Sequence, residues 1–142
     1  MAHEGMQWKN EFKIGIPVID AQHEQLFSCD NELREALANG LKPSVVDQIL
    51  TQLGFYVSRH FSLEEQYMKA SSYPGLHEQI EAHGYFSTRF AEIQADFKKN
   101  GLGPAIVHAI QEELGLWLKN HVLGLDQAFG LYYKKNRPTT NP

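Results

Sequence analysis

Four long segments with helical periodicity make up most of the chain, and short breaks carrying turn residues separate them. Apolar residues recur every three or four positions over about 20–38, 43–70, 76–100 and 104–135, which is the pattern of an amphipathic α-helix. Asn39-Gly40 closes the first segment, and Pro43 and Pro104 suit the first turns of the second and fourth. Strand signals are nearly absent. Short connections favour antiparallel neighbours, so the sequence predicts an all-α, up-down-up-down four-helix bundle.

The segment before the first helix is too apolar for a free tail. Residues 1–19 include Trp8, Phe12, Ile14 and Ile16, so we predict an N-terminal arm that lies against the bundle. Asp20 is the expected N-cap of the first helix, because its carboxylate can accept from free backbone N–H groups. Residues 136–142 form a polar tail. The 142 residues fit one domain spanning the chain.

Composition excludes several classes of function. The net charge of −4 and the pI near 5.9 argue against nucleic acid as a partner, because nucleic-acid binding needs a basic face. No apolar run is long enough to span a bilayer, so no membrane association is expected. The N-terminus does not resemble a signal peptide, and Cys29 is the single cysteine. These features predict a cytoplasmic protein.

Histidines and carboxylates at helical spacing point to a metal site. His60 and Glu64 are four residues apart and share one helix face, although such a pair alone is usually solvated. His23 lies 16 residues before the first break and His60 lies 18 after it. Around the second break, His60 lies 11 residues before it and His83 lies 9 after it. Around the third break, His83 lies 18 residues before it and His121 lies 18 after it. Antiparallel helices therefore bring four histidines, one per helix, to one level, which unrelated surface histidines would rarely do.

From its position in the helix alone, Asp126 is a weaker candidate for a metal ligand. It follows His121 by five residues, which places it about 140° around an ideal helix. Both side chains can point inward only if the helix departs locally from α geometry. Gly124 lies between them, and a bulge or kink there would redirect the carboxylate.

The combined motifs resemble those of the bacteriohemerythrins from Trp8 to about Tyr133. The motifs are Ile19-Asp20-Ala21-Gln22-His23, His60-Phe61-Ser62-Leu63-Glu64-Glu65, Tyr73-Pro74, His83-Gly84-Tyr85-Phe86 and Trp117-Leu118-Lys119-Asn120-His121 with Asp126. The resemblance implies two non-haem iron ions, cycling between Fe2+ and Fe3+ with an oxo or hydroxo bridge. Glu64 and Asp126 would bridge the ions. One iron would take His23 and His60, and the other would take His83, His121 and a third histidine, whose position is occupied here by Gln79.

Gln79 is the main departure from the family pattern, and three interpretations are open. Its amide oxygen could coordinate iron weakly, it could hydrogen-bond a water at a vacant position, or the site could be impaired. His77 is a poor substitute, because it lies six residues before His83 and about 120° off that face. His77, His3 and His108 are better interpreted as surface residues, and Glu65 as a solvated or outer carboxylate.

The function implied by the resemblance is reversible O2 binding for storage, delivery or sensing, with O2 as the ligand. The open iron position would lie on the His23 and His60 side. The O2 pocket would be lined by Leu26, Phe61, Trp117 and Val122, each of which is also typical of ordinary bundle core. Two alternatives are a di-iron redox enzyme acting on peroxide, nitric oxide or ferrous iron, and a sensory or interaction domain with an altered site. The sequence does not identify a signalling or redox partner.

Overall fold

The computed structural model describes residues 7–136, and these are almost entirely helical. The first three helices are α1 (Pro17–Ala38), α2 (Pro43–Ala70) and α3 (Leu76–Asn100). Within residues 7–136 no strand is present, and no helix is long and apolar enough to cross a membrane. The predicted all-α four-helix bundle is confirmed. The bounds of α2 and α3 match the prediction, since proline opens α2 and glycine follows α3.

The fourth helix of the bundle is interrupted twice by segments of π-helix. Three α-helical pieces, α4 (Pro104–His108), α5 (Gly115–His121) and α6 (Gln127–Asn136), alternate with two π-helical pieces. The π pieces cover Ala109–Leu114 and Val122–Asp126. A π turn holds about one residue more than an α turn, so each piece rotates the side chains that follow it. The departure from α geometry that an inward-pointing Asp126 would require near Gly124 is therefore present.

The start of α1 differs from the prediction. The helix begins at Pro17 rather than Asp20, because proline at the first helical position already has a helical φ angle. The prediction that Asp20 is the N-cap is wrong. Instead, its carboxylate lies inside the first turn and accepts hydrogen bonds from Ile14 N–H at 2.7 Å and Gly15 N–H at 3.2 Å. Asp20 thus attaches the preceding arm to the helix.

The described part of the arm packs on the bundle. Phe12, Ile14 and Ile16 are buried, and a short 3-10 helix (Asn10–Phe12) turns the chain inward. Trp8 stands edge-on to Phe27 of α1, with their ring centroids 5.4 Å apart. Residues 1–6 with His3, and 137–142 of the predicted tail, lie outside the described residues.

A buried arginine, Arg34, pairs with an acid of its own helix, α1, and links α1 to the first π piece by a hydrogen bond. Arg34 donates through Nε to Asp30 at 2.9 Å and through Nη2 to the carbonyl of Gln111. In a π-helical piece the backbone hydrogen bonds are shifted relative to those of an α-helix. Here the Arg34 guanidinium donates a hydrogen bond to one carbonyl of that piece. Gly115 makes the approach possible, because a Cβ there would lie 2.3 Å from Arg34 Nη2.

Two apolar clusters lie on either side of a buried polar layer. The larger cluster includes Leu26, Phe61 and Val122, and the smaller cluster includes Ile19 and Phe129. Along α1, the polar layer falls at His23, between Ile19 and Leu26. Along the fourth helix of the bundle, the polar layer falls around His121 and Asp126, before Phe129. The bundle therefore places its buried polar groups where apolar packing shields them from both ends.

Candidate metal centre

Each histidine predicted as a metal ligand comes from a different helix of the bundle, and all four side chains reach the polar layer. His23 lies on α1, His60 on α2, His83 on α3 and His121 at the end of α5. Their exposed fractions are 0%, 2%, 3% and 8%. The ring centroids of His23 and His60 are 4.5 Å apart, and those of His83 and His121 are 5.1 Å apart. The histidines therefore form two pairs, one from α1 and α2 and the other from α3 and α5.

Two fully buried carboxylates lie between these pairs. Glu64 follows His60 by one helical turn, as the i, i+4 spacing predicts. Asp126 is the last residue of the second π piece, whose wider turn brings it inward on the same side as His121. Both carboxylates have an exposed fraction of 0%. Burial of two acids at this depth requires positive charge or hydrogen-bond donors around them.

The carboxylate oxygens divide between the two histidine pairs. Oε2 of Glu64 lies 3.1 Å from His23 Nε2 and 3.2 Å from His60 Nε2, whereas Oε1 lies 3.2 Å from His83 Nε2. Oδ2 of Asp126 lies 3.1 Å from His23 Nε2, whereas Oδ1 lies 3.2 Å from His121 Nε2. Each carboxylate therefore presents one oxygen to each pair, as a bridging ligand would.

These groups form two candidate cation sites that share their carboxylates. We name them the His60 half (His23 and His60) and the His83 half (His83, His121 and Gln79). In each half the two imidazoles and both carboxylates offer ligand atoms within 4.8 Å of one another. Imidazole and carboxylate donors suit first-row divalent metals such as iron.

Mutual attraction at the centre raises the pKa of two imidazoles, His23 and His83, and lowers the pKa of both acids. Burial lowers the pKa of His23, but hydrogen bonds with Asp126 and Glu64 outweigh it and raise that pKa from 6.5 to about 10. Burial raises the pKa of Glu64, but the charge of His60 and contacts with three imidazoles hold it well below 4.5. Burial and the charge of Glu64 raise the pKa of Asp126, but contacts with His121 and His23 outweigh them and lower it. The two acids therefore favour positive charge beside them, which bound cations would also supply.

Several buried polar atoms at the centre lack a well-directed hydrogen bond among the described residues, although the imidazole and carboxylate atoms lie 3.1–3.2 Å apart. Each carboxylate contributes one such oxygen, three imidazoles contribute Nε2, and Gln79 contributes its amide oxygen. These atoms are Glu64 Oε1, Asp126 Oδ2, His60 Nε2, His83 Nε2, His121 Nε2 and Gln79 Oε1. Unpaired buried groups are costly, and bound cations would satisfy this set.

Two of the histidines have hydrogen-bond acceptors on the side away from the centre. His60 Nδ1 lies 2.8 Å from Gln22 Oε1, and His83 Nδ1 lies 2.8 Å from Glu65 Oε2. With Nδ1–H donated outward, loss of any Nε2 proton would leave a lone pair that faces the carboxylates and is available to a metal. Glu65 is therefore an outer carboxylate, in line with one of its expected roles. Gln22 was not predicted, since its contact with α2 depends on how the helices pack.

Gln79 lies inside the His83 half, where its exposed fraction is 1%. Its Nε2 donates to Asp126 Oδ1 at 3.0 Å, and its amide oxygen stays unpaired. His77 does not replace it, because the His77 side chain is 85% exposed and pairs with Glu81. His108 is exposed, as predicted.

Aromatic rings cover the His83 half. Phe61 stacks on His83 at 3.8 Å between centroids, and Trp117 stacks on His121 at 4.5 Å. Leu26 and Val122, the other two predicted pocket residues, are buried in the larger apolar cluster. The structure thus brings an apolar wall against the histidines, and its rings contact the His83 half most closely.

The sequence model of the Hemerythrin HHE cation binding domain matches residues 14–130. The chain belongs to the hemerythrin family. It is 31% identical to the bacteriohemerythrin of Stenotrophomonas maltophilia, over 86% of this chain and 77% of that protein. Identity to the bacteriohemerythrin of Clostridium acetobutylicum is 32%, over 86% and 96% of the two chains. The myohemerythrin of Riftia pachyptila is 26% identical, over 84% and 86%.

The hemerythrin match includes the whole of the candidate centre. All six predicted ligands and Gln79 lie within residues 14–130, as do the outer partners Gln22 and Glu65. The resemblance stated from the sequence motifs is therefore confirmed at the level of the family.

Proposed function

We propose that the two halves of the centre hold two non-haem iron ions and that the protein binds O2 reversibly. His23 and His60 would ligate one ion, and His83 and His121 the other. The observation that carries the proposal is the division of the carboxylate oxygens, because both Glu64 and Asp126 direct one oxygen to each half. Membership of the hemerythrin family supports iron as the metal.

The surroundings of the donors support the same proposal. Outward hydrogen bonds from His60 and His83 orient the rings before any metal arrives. The unpaired imidazole nitrogens and carboxylate oxygens then need little rearrangement to bind a cation. Bound as a ferrous pair, the ions would supply the electrons that reversible O2 binding draws upon.

The predicted pocket residues would keep water away from the ligand. Leu26, Phe61 and Val122 have exposed fractions of 1%, 6% and 2%, and Trp117 packs its indole flat against His121. An apolar wall limits the supply of protons to a bound oxygen ligand and so slows its irreversible loss. These side chains thus have a function in O2 binding in addition to their packing role.

Gln79 distinguishes the centre from one with five histidines. We propose that its amide oxygen is a weak ligand of the ion in the His83 half while its nitrogen holds Asp126. A neutral amide is a poorer donor than imidazole for iron. The iron in this half is therefore expected to bind less tightly and to oxidise more readily in air than with histidine at position 79.

The test is iron stoichiometry on protein reconstituted anaerobically, with absorption spectra before and after exposure to air. Two irons per chain, with a near-ultraviolet and visible band that disappears when O2 is removed, would agree with the proposal. One iron or none, or immediate irreversible oxidation, would contradict it.

A redox enzyme is the second candidate, and Gln79 is the observation that favours it. A ligand position held by a weak donor is more open to exchange than one held by imidazole, which favours turnover over storage. Iron-loaded protein would then consume peroxide catalytically, whereas metal-free protein and a Gln79→His variant would not. Equal inertness of all three would exclude peroxide turnover.

A further inference from the structure

The outer hydrogen bonds of the two halves have the same length but different charge. His60 donates to Gln22, a neutral amide, at 2.8 Å, and His83 donates to Glu65, a carboxylate, also at 2.8 Å. Both acceptors lie on the far side of the imidazole from Glu64. The two contacts therefore differ in what they do to the electrons of the ring.

A carboxylate acceptor makes the imidazole a stronger ligand. A hydrogen bond to an ionised acceptor is roughly twice as strong as one between neutral groups. It draws the Nδ1 proton outward and leaves more electron density on Nε2, which raises the basicity of the ligand atom. Glu65 is 25% exposed and His83 is 3% exposed, so the protein shields the His83 side of this contact from water.

Glu65 lies on the half whose set of metal donors is weaker. The His83 half has the amide of Gln79 at the position where the family resemblance implies a third imidazole. The same half has the only carboxylate that accepts from an Nδ1 atom of the four site histidines among the described hydrogen bonds. The weaker donor and the charged outer partner thus occur on the same cation site.

We propose that Glu65 is a positioning residue that strengthens His83 as a ligand and offsets the weak donor at Gln79. The inference rests on the proposed function, because it requires a cation in each half. Its effect is local: Glu65 stabilises the ion beside His83, and Gln22 has no equivalent effect beside His60. A purely structural alternative is that Glu65 only ties α2 to α3.

The experiment is a titration of the full-length metal-free protein with Co2+, which is stable in air and has a coloured ligand-field spectrum. Glu65→Gln keeps the size and the acceptor oxygen but removes the charge. We expect one of the two Co2+ ions to bind about 10-fold more weakly, at the low end of the roughly 10–100-fold cost of losing an outer partner because the amide can still accept, and the other to bind as before. Glu81→Gln is the matched control, because Glu81 pairs with His77 on the surface, where the two side chains are 69% and 85% exposed.

Gln22→Glu is the reciprocal variant. It places a carboxylate beside His60, and the ion in the His60 half should then bind more tightly. Proton spectra of the Co2+ protein show which half responds, since each Nδ1–H of a ligating histidine gives its own shifted, exchangeable resonance. Glu65→Gln should move the His83 resonance, and Gln22→Glu the His60 resonance.

Each outcome decides between these accounts. Unchanged binding constants in Glu65→Gln, or an equal loss at both ions together with lower thermal stability, would overturn the inference and leave the structural tie. If Glu65→Gln does not fold, failure of Gln22→Glu to tighten one ion would overturn it. Failure of the unmodified protein to bind Co2+ would instead overturn the proposed function, and the inference with it.

Discussion

The two halves of the centre have the same imidazole and carboxylate donors but different surroundings. Each has two imidazoles and shares Glu64 and Asp126. The His83 half is covered by stacked aromatic rings and contacts a carboxylate through His83. In the His60 half, the outer partner of His60 is the neutral amide of Gln22, which also lines a polar surface pocket between α1 and α2. That pocket is lined by Gln22, Gln25, Leu26, Tyr56 and Arg59.

This difference shows that a list of ligands describes a metal site incompletely. If only its four histidines and two acids are considered, the centre is nearly symmetric. The outer partners, the aromatic cover and the amide at position 79 make its halves unequal. We therefore expect the two ions to differ in affinity and in ease of oxidation, and each of the following changes alters that difference in its own way.

Removal of a shared carboxylate should have the largest effect, because it affects both halves at once. Glu64→Ala deletes the oxygens that face His23, His60 and His83. Both ions should then bind more weakly by more than the roughly 10–100-fold that loss of an outer partner costs. Metal analysis after dialysis measures this loss, with Glu81→Ala as a surface control. Retention of one tight ion would show that Glu64 serves a single half.

Substitution of Gln79 should change one half only. Gln79→His supplies a fifth imidazole next to Asp126, so the ion in the His83 half should bind more tightly and oxidise more slowly in air. Gln79→Leu, which removes the amide, should act in the opposite direction. Stepwise binding constants and the autoxidation rate of the iron protein measure both effects. Identical rates for the three proteins would mean that position 79 does not contact the metal.

The sequence predicted the polar layer better than its surroundings. The spacing of His23, His60, His83 and His121 was sufficient because antiparallel helices with short connections have a nearly fixed register. The angle between Asp126 and His121 indicated only that an inward-pointing Asp126 would need a bulge or kink before it. The contacts of Gln22 and Glu65 were not predicted, because each depends on the rotation and separation of packed helices.

Two other features, the first π piece and the start of α1, could not be predicted from the sequence for the same reason. Nothing in the local pattern of residues 109–114 indicates that Arg34 will reach the carbonyl of Gln111 from another helix. Asp20 was predicted as an N-cap because aspartate is common there, yet its carboxylate binds the backbone of the arm. Local rules fail at both places because a tertiary contact competes with them.

Raising the pH should change the metal-free and metal-loaded proteins differently. The pKa of His23 is raised to about 10 from 6.5, so its ion contacts stabilise the metal-free fold fully below pH 6.5. That stabilisation should fall progressively between pH 6.5 and about 10, since the imidazole then becomes neutral and loses its attraction to Glu64 and Asp126. In the loaded protein His23 is already deprotonated, so this loss should be absent. Denaturant unfolding with and without chelator at several pH values measures the difference, and identical profiles would contradict it.

Substitution of Gly124 should have the smallest effect. A Cβ at this position would meet no atom within 4 Å, and Gly124 is exposed within the second π piece. Gly124→Ala should therefore leave metal binding unchanged and stabilise the fold by about 0.5–1 kcal/mol, the usual gain in a helix interior. Thermal unfolding and metal analysis measure both quantities. Loss of an ion in this variant would show that glycine itself is required to direct Asp126 inward.

The most direct measurement is a crystal structure of the iron-loaded protein with anomalous diffraction recorded at the iron edge. We expect two iron peaks, one beside His23 and His60 and the other beside His83 and His121, with Glu64 and Asp126 between them. A single peak, or two peaks that do not share these carboxylates, would contradict the account.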